Sequence, residues 1–320
     1  NTSRPEVAEM GHHDGNVQDF GIFSFAIASP QTLLGQFVDA MARGARPKFF
    51  TLPDVMRDRG IPMLRRLGIT ESDKVVTFHA RTAGTHAAVA YHDYRNARLE
   101  NYEPLLRHLL DQGFWVVRLG DAGSPDMPFT HDRLDDLPKL PDYQDYMDVV
   151  VADRSAFGVV CDSGPEALFR ILGKPILRVN SLITHHAWLG PDDLLMMKTF
   201  RDRRQGRVLG YKQILARGLS CALTARDLDR LEVEVLENSP EELLAAGIEM
   251  LDRLAGQVPD DAALQERFRG IGGEFQSLFK TWPPERRLPG APLVTCFGFA
   301  LPWVKHASTY FEAHPEFLGD

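Results

Sequence analysis

Between residues 75 and 179 the sequence alternates short apolar runs with amphipathic stretches, and that alternation restricts the fold more than any other feature. The runs 75–79, 114–119, 157–161 and 176–179 have the length and the branched or aromatic content of buried strands. Helical stretches stand between them. Residues 102–111 place Leu105, Leu106, Leu109 and Leu110 on one face before Gly113. Residues 143–152 follow, and then 164–172, stopped by Gly173. Such an order predicts parallel pairing through right-handed crossovers. Ligands of parallel sheets bind beyond the carboxyl ends of the strands, which directs attention to the segments after His79, Leu119, Cys161 and Val179.

Outside this block the pattern is simpler. Residues 1–19 are polar and carry His12-His13, and read as a ligand-capping arm. An apolar run at 21–28 is followed by Ser29-Pro30, the cap and first position of a helix with Leu33, Leu34, Phe37, Val38 and Met41 on one face. A further strand-like run at 48–52 completes one β-α-β unit, and 53–68 reads as a connection. The last third is mostly helical, at 240–254, 261–280 and 308–312.

Composition narrows the class of partner. The 320 residues are 44% apolar and 25% charged, with a net charge of −8, so no basic field draws the chain to nucleic acid or anionic lipid. An anionic ligand has to be met by local arginines and helix ends. Cys161, Cys221 and Cys296 lack CxxC spacing, which fits a reducing, cytoplasmic setting and no thiolate zinc site. No apolar run has bilayer length, and no cleavable signal is visible. The chain opens on Asn1, so the expectation is that its front is trimmed, and the Asn1-Thr2-Ser3 sequon carries little weight.

Four segments hold the residues suited to chemistry. After the first strand comes His79-Ala80-Arg81. An arginine there presents fixed donors to a phosphate oxygen, although a surface arginine paired with a carboxylate has the same sequence, and His79 reads as either a base or a hydrogen-bonded core histidine. The second segment holds His92, Asp93 and Arg95, candidates for acceptor or donor contacts, with Asn101 placed as a helix cap. The third is Arg118-Leu119-Gly120-Asp121: a second arginine ending a strand, with Asp121 able to orient it or a sugar hydroxyl. In the fourth, Asp162-Ser163-Gly164-Pro165-Glu166, a small turn offers backbone N–H groups at the start of a helix to a diphosphate. Glu166 either closes a capping box with Ser163 or contacts a ribose. Lys198, in a basic run with Arg201, Arg203, Arg204 and Arg207, is a solvated charge or an anion contact. His185-His186 lacks helical metal-ligand spacing, and no metal site is expected.

These segments also resemble a family. Residues 75–81, Tyr94-Arg95-Asn96 with Glu100-Asn101-Tyr102, and 113–121 resemble a bacterial glycosyltransferase family whose genes lie among those for surface polysaccharides and glycoconjugates. The likeness continues through Tyr146-Met147-Asp148, Ser163-Gly164, Gly173-Lys174-Pro175, Ser239-Pro240-Glu241-Glu242 and 308–312, to His314 through Leu318. It covers about residue 65 to the end. His79-x-Arg81 is similar to the H-x-R element of fucosyltransferase-type GT-B enzymes, whose arginine holds the donor β-phosphate.

The resemblance implies an α/β, GT-B-like parallel Rossmann-type sheet with a reduced N-terminal β-α-β portion and a helical C-terminal region. It divides the chain into a short acceptor-side portion, 1–68, and a nucleotide-sugar-binding domain with helical extension, 69–320. The implied activity is metal-independent transfer of a hexosyl- or fucosyl-type sugar from a nucleotide-sugar, used as substrate with no cofactor, to a glycan, glycoconjugate or small-molecule acceptor. Arg81, Arg118, Ser163, Gly164 and Glu166 form the donor site. Asp93 is the first expectation for the base and His79 the second. A homo-oligomer is left open, as are two other functions: pyruvyl transfer at the same anion site, and a non-catalytic glycan-binding or scaffold protein.

Overall fold

The structure is a computed structural model that describes residues 16–19, 21, 24–27, 40–46, 48–82, 92–182, 189–219, 224–281 and 301–319. His12-His13, His185-His186, Cys221, Cys296 and the Ser29-Pro30 helix start lie outside them.

The alternating block supplies the four expected strands of a six-stranded, fully parallel sheet, and Leu134–Asp136 and Leu194–Met197, for which no strand was expected, form its two edges. Its strands are β3 (Lys74–Phe78), β4 (Phe114–Arg118), β5 (Leu134–Asp136), β6 (Phe157–Val160), β7 (Ile176–Ser181) and β8 (Leu194–Met197), standing in the order β5-β4-β3-β6-β7-β8. Numbered by their appearance in the sheet, that order is 3-2-1-4-5-6, the doubly wound Rossmann arrangement. From β3 the chain first builds outward through β4 and β5. It then crosses back to lay β6, β7 and β8 on the other side. The reversal falls between β3 and β6, which pair directly, Phe78 opposite Val159.

β6, β7 and β8 are buried along their whole length, as strands covered on both faces must be. The covering helices include α2 (Glu103–Asp111), whose Leu105, Leu106, Leu109 and Leu110 all face the core, α3 (Tyr146–Arg154) and α4 (Glu166–Leu172). Gly158 on β6 sets the approach of α4, because a Cβ there would lie 2.6 Å from the Phe169 ring.

Three expectations change at the N-terminal side and the edge. Residues 48–52 are not a strand, so the expected β-α-β unit is not completed there; instead the N–H groups of Phe49 and Phe50 both donate to the Ile171 carbonyl. The stretch read as a connection contains the helix α1 (Asp54–Arg66), with Pro62 inside it and Gly60 pressed against Val150 of α3. The edge strand β5, carrying Asp135 and Asp136, had no strand-like pattern. Upstream, β1 (Asn16–Asp19) and β2 (Ser24–Ile27) form an antiparallel hairpin.

Past β8 come β9 (Thr199–Asp202), α5 (Tyr211–Ala216), α6 (Ala225–Arg230), β10 (Val233–Leu236), α7 (Pro240–Leu254), α8 (Ala262–Thr281) and α9 (Ser308–Ala313). The basic run is spent along the antiparallel β9–β10 pair, where Arg201, Arg203 and Arg204 meet Glu234, Asp229 and Glu232. Asn101 is no helix cap: its side chain reaches the Asn238 carbonyl at 3.4 Å. No helix among the described residues is long and apolar enough to cross a membrane.

The C-terminal motif docks onto α7. Ser239 caps α7 in a capping box with Glu242, and the outer oxygen of Glu242 takes a hydrogen bond from the His314 ring. That bond, ahead of the opposing effect of burial, raises the His314 pKa above its usual 6.5. Burial pushes Glu242 up, but the His314 and Ser239 bonds outweigh it and leave the carboxyl below 4.5. The histidine's contribution is complete below pH 6.5 and fades as pH rises through its folded pKa. The glutamate's is complete above pH 4.5 and fades as pH falls through its own. His314→Ala is therefore expected to cost about 1 kcal/mol between pH 5 and 6 and less above pH 8. Urea unfolding of both proteins across that range checks this; a cost independent of pH would assign His314 to packing alone.

Candidate functional site

The reversal in strand order opens a cleft at the carboxyl ends of β3 and β6, and the candidate site occupies it. The main-chain ladder continues one step past the strands: His79 N–H donates to Val159 O at 2.8 Å and Leu119 N–H to Phe78 O at 2.8 Å. The segments after β3, β4 and β6 therefore end at one rim. A cavity of about 310 Å³ lies there, lined by residues 79–82, by Gly120, Asp121 and Ser124, by Tyr143, Asp145 and Asp148, and by 163–165. A larger cavity of about 750 Å³ lies at the amino ends of the strands, around Leu52, Ile61, Leu64, Ile69 and Val150. Two of its four cations are held by main-chain carbonyls: Arg154 caps three at 70–73 and Lys174 donates to Ser155 O. The smaller cavity is the one where a doubly wound sheet presents unpaired polar groups to a ligand.

His79 is the centre of this rim. Its side chain is 7% exposed, and Nδ1 lies 3.0 Å from the Leu119 carbonyl oxygen. A carbonyl only accepts, so Nδ1 carries the proton and Nε2 carries a lone pair. Nε2 has no hydrogen-bond partner among the described residues. Burial, with the neighbouring Arg118 and Arg81 cations adding to it, outweighs the Leu119 bond and lowers the pKa below 6.5, so the ring is neutral at pH 7. Gly120, at φ 153°, passes close by: a Cβ would sit 3.7 Å from His79 Nδ1 and from Ser124 Oγ.

Arg81 stands across the reversal from the 163–165 turn. Its backbone is fixed at both ends, N–H to Cys161 Sγ at 3.2 Å and the carbonyl to Ala97 N–H at 2.9 Å, while Nε donates to Asn96 Oδ1 at 3.1 Å. Asp162 holds the turn from beneath. Its carboxylate accepts from Arg178, from Ser181 Oγ at 3.2 Å and from Leu182 N–H at 2.7 Å, and its carbonyl accepts from Arg95. The turn itself is tighter than expected. The N–H groups of Glu166, Ala167 and Leu168 bond back to the carbonyls of Ser163, Gly164 and Pro165. That leaves the Gly164 N–H without a hydrogen bond among the described residues, on an exposed residue that lines the cavity.

Several expected site residues belong elsewhere. Arg118 is 1% exposed and does not line the cavity; it pairs with Asp136 at 2.9 Å and donates to Pro125 O at 2.7 Å, which fixes the loop carrying Asp121 and Ser124. Glu166 neither caps nor faces the rim, because its carboxylate is taken by Arg170 and Arg178. Lys198 is buried with Nζ on the carbonyls of Tyr94 and Asn96, and burial lowers its pKa to about 8. Asp93, the first expectation for the base, is exposed, accepts from Asn96 and does not line the cavity. Arg95 is a support for the turn rather than a ligand contact, and His92 lies in the same short helical turn, near enough to Arg95 and Arg81 for both to lower its pKa after burial. Asp121 lines the cavity.

The sequence reading missed Tyr143, Asp145 and Asp148. Asp145 and Asp148 sit at the N-terminus of α3, where carboxylates are commonplace; Asp148 entered only as part of the Tyr146-Met147-Asp148 likeness, with no role at the site, and Asp145 not at all. Burial raises the Asp148 pKa to about 6, with Asp145 and Asp121 adding to it against a hydrogen bond from Tyr143.

No protein-family model matches the chain, and no curated protein matches it. Among solved structures it is similar to a chain described as a glycosyl transferase family 9 protein from Veillonella parvula DSM 2008, at 16% identity and a TM-score of 0.32. The alignment covers 40% of this chain and 36% of that one.

Proposed function

We propose that the protein is a glycosyltransferase that moves a sugar from a nucleotide-sugar donor to an acceptor hydroxyl at the rim of β3 and β6. The observation that carries this reading is that Arg81, Gly164 and a neutral His79, whose buried Nε2 has no partner among the described residues, line one cavity at the reversal of strand order. In this reading Arg81 and the Gly164 N–H hold the donor diphosphate and stabilise the charge that grows on it as the sugar departs, without a metal ion. His79 Nε2 accepts the acceptor proton, and the Leu119 carbonyl steadies the imidazolium through Nδ1–H.

Isothermal titration with UDP, GDP, CDP and TDP tests the donor site. One nucleotide is expected to bind, and Arg81→Ala to weaken it about 10- to 100-fold, the value of a hydrogen bond to a charged group. Binding that is unchanged in Arg81→Ala removes Arg81 from the site. Stabilisation by phosphoenolpyruvate and by no nucleotide would move the reading to pyruvyl transfer.

A further inference from the structure

Lys198 stands between β8 and β9, 2% exposed, and among the described residues no carboxylate forms an ion pair with it. Its Nζ donates to main chain, to the carbonyls of Tyr94 at 3.0 Å and Asn96 at 2.6 Å. Taking an ammonium out of water is costly, and an apolar side chain of similar volume would pack there without that cost. The backbone of Lys198 is fixed to the sheet, its N–H donating to Ser181 O of β7 at 2.8 Å. The ammonium therefore ties the 94–96 turn to the sheet through two charge-assisted hydrogen bonds. Burial lowers its pKa to about 8, while Glu237, Cys161 and Asp162 favour the charged form, so the group is charged at neutral pH.

The same turn holds Arg81 at two points. Ala97 N–H donates to the Arg81 carbonyl at 2.9 Å, and Asn96 Oδ1 accepts from Arg81 Nε at 3.1 Å. Asn96 Nδ2 donates to Asp93 Oδ1 at 3.1 Å, which settles which end of the amide meets the arginine. Nε thus rests on a neutral amide, and among the described residues the two terminal nitrogens of Arg81 have no partner. Arg81 keeps its full charge and its fork of donors, while its direction is set through Nε. We propose that Lys198 is a positioning residue for Arg81: by holding the Asn96 carbonyl it fixes the Asn96 side chain, and through it the guanidinium that lines the cavity. The inference deepens the proposed donor site, and its bearing on transfer rests on that reading.

Two measurements on the full chain test this. In protein carrying isotope-labelled arginine, the Arg81 Nε–H signal, identified by its loss in Arg81→Ala, reads the bond to Asn96 directly. Its hydrogen exchange is expected to be slow in the parent and about fivefold or more faster in Lys198→Met, which keeps the stem and removes the donors. Lys198→Gln, which leaves a neutral donor, is expected to fall between them and gives the answer if Lys198→Met does not fold. Exchange that stays slow in the folded variant overturns the inference. Isothermal titration with UDP, GDP, CDP and TDP is the second measurement. For the nucleotide that binds the parent, Lys198→Met is expected to weaken binding about 5- to 20-fold, but less than about twofold further where Arg81→Ala is already present. Equal losses in both backgrounds would mean that Lys198 acts on the diphosphate without Arg81, and overturn the inference. An affinity unmoved by Lys198→Met overturns it too, while the donor reading stands. Faster exchange in a protein that binds no nucleotide supports the link from Lys198 to Arg81 and sinks the donor reading alone.

Discussion

The Asp162→Ala variant is expected to melt roughly 6–12 °C below the parent, from a loss of about 3 kcal/mol. Three separate donors converge on that carboxylate: the Arg178 guanidinium, the Ser181 hydroxyl and the Leu182 amide. Arg178 has a side chain only 6% exposed, so removing Asp162 leaves a cation that water cannot reach, and breaking a buried pair in this way costs far more than an exposed one. Glu166, 3.5 Å from Arg178 Nε, recovers part of the loss, which keeps the expected figure at the low end for such pairs. The Leu182 N–H is orphaned as well. Asp145→Asn, on the exposed wall of the cavity, serves as the contrast and is expected to stay within about 0.5 kcal/mol of the parent. Thermal unfolding followed by circular dichroism measures both. A melting temperature unchanged in Asp162→Ala would show that Arg178 rests on Glu166, and that the 162–165 turn needs no anchor beneath it.

The sequence exposed four of the six strands because buried parallel strands are written in apolar runs rich in Val, Ile and Phe, although the run at 48–52 has the same look and forms no strand. The same signal failed wherever tertiary contact, not local pattern, sets the structure. α1 was hidden by Gly60 and Pro62, two residues that weaken helices in isolation; here Gly60 is what lets Val150 approach, and packing outweighs propensity. β5 was hidden by its aspartates, since Asp136 is in the strand as the counter-ion of Arg118.

That pair also explains the error at the site. Two arginines ending adjacent strands look alike in sequence, and both were given to the anion. Arg81 follows a strand by three residues and lines the cavity, whereas Arg118 is the last residue of β4 itself, in register opposite Asp136 and buried in a pair with it. The strand order, and with it the reversal that joins His79, Arg81 and Ser163-Gly164, follows from which strand pairs with which, a long-range choice that periodicity does not encode. The acidic wall was invisible for another reason. Asp145 and Asp148 have the sequence of ordinary first-turn carboxylates, and only the path of the 120–124 loop brings Asp121 against them.

His79→Gln is expected to lower kcat by about 10²- to 10⁴-fold while the dissociation constant for the matching nucleoside diphosphate stays within about twofold. The two readouts separate because the ring and the guanidinium do different work in the proposed reaction: Arg81 meets the diphosphate, and His79 meets the acceptor proton. The groups facing the ring fix the pH dependence. The Leu119 carbonyl and Asp121 favour the imidazolium, Arg118 and Arg81 oppose it, and burial opposes it most, so the folded pKa lies below 6.5. A base must be unprotonated to act. The activity of the parent should therefore be level near pH 7 and fall only on the acid side of pH 6.5, and the residual activity of His79→Gln should lose that His79 limb. Glutamine keeps a side chain able to reach the Leu119 carbonyl, so the fold has little reason to change, and a matched melting temperature excludes a trivial loss. Release of nucleoside diphosphate from the donor, followed from pH 5 to 8, gives both parameters. If kcat is unmoved, the acceptor proton leaves by another route, and the unpartnered nitrogen at the rim is a consequence of packing, with no part in transfer.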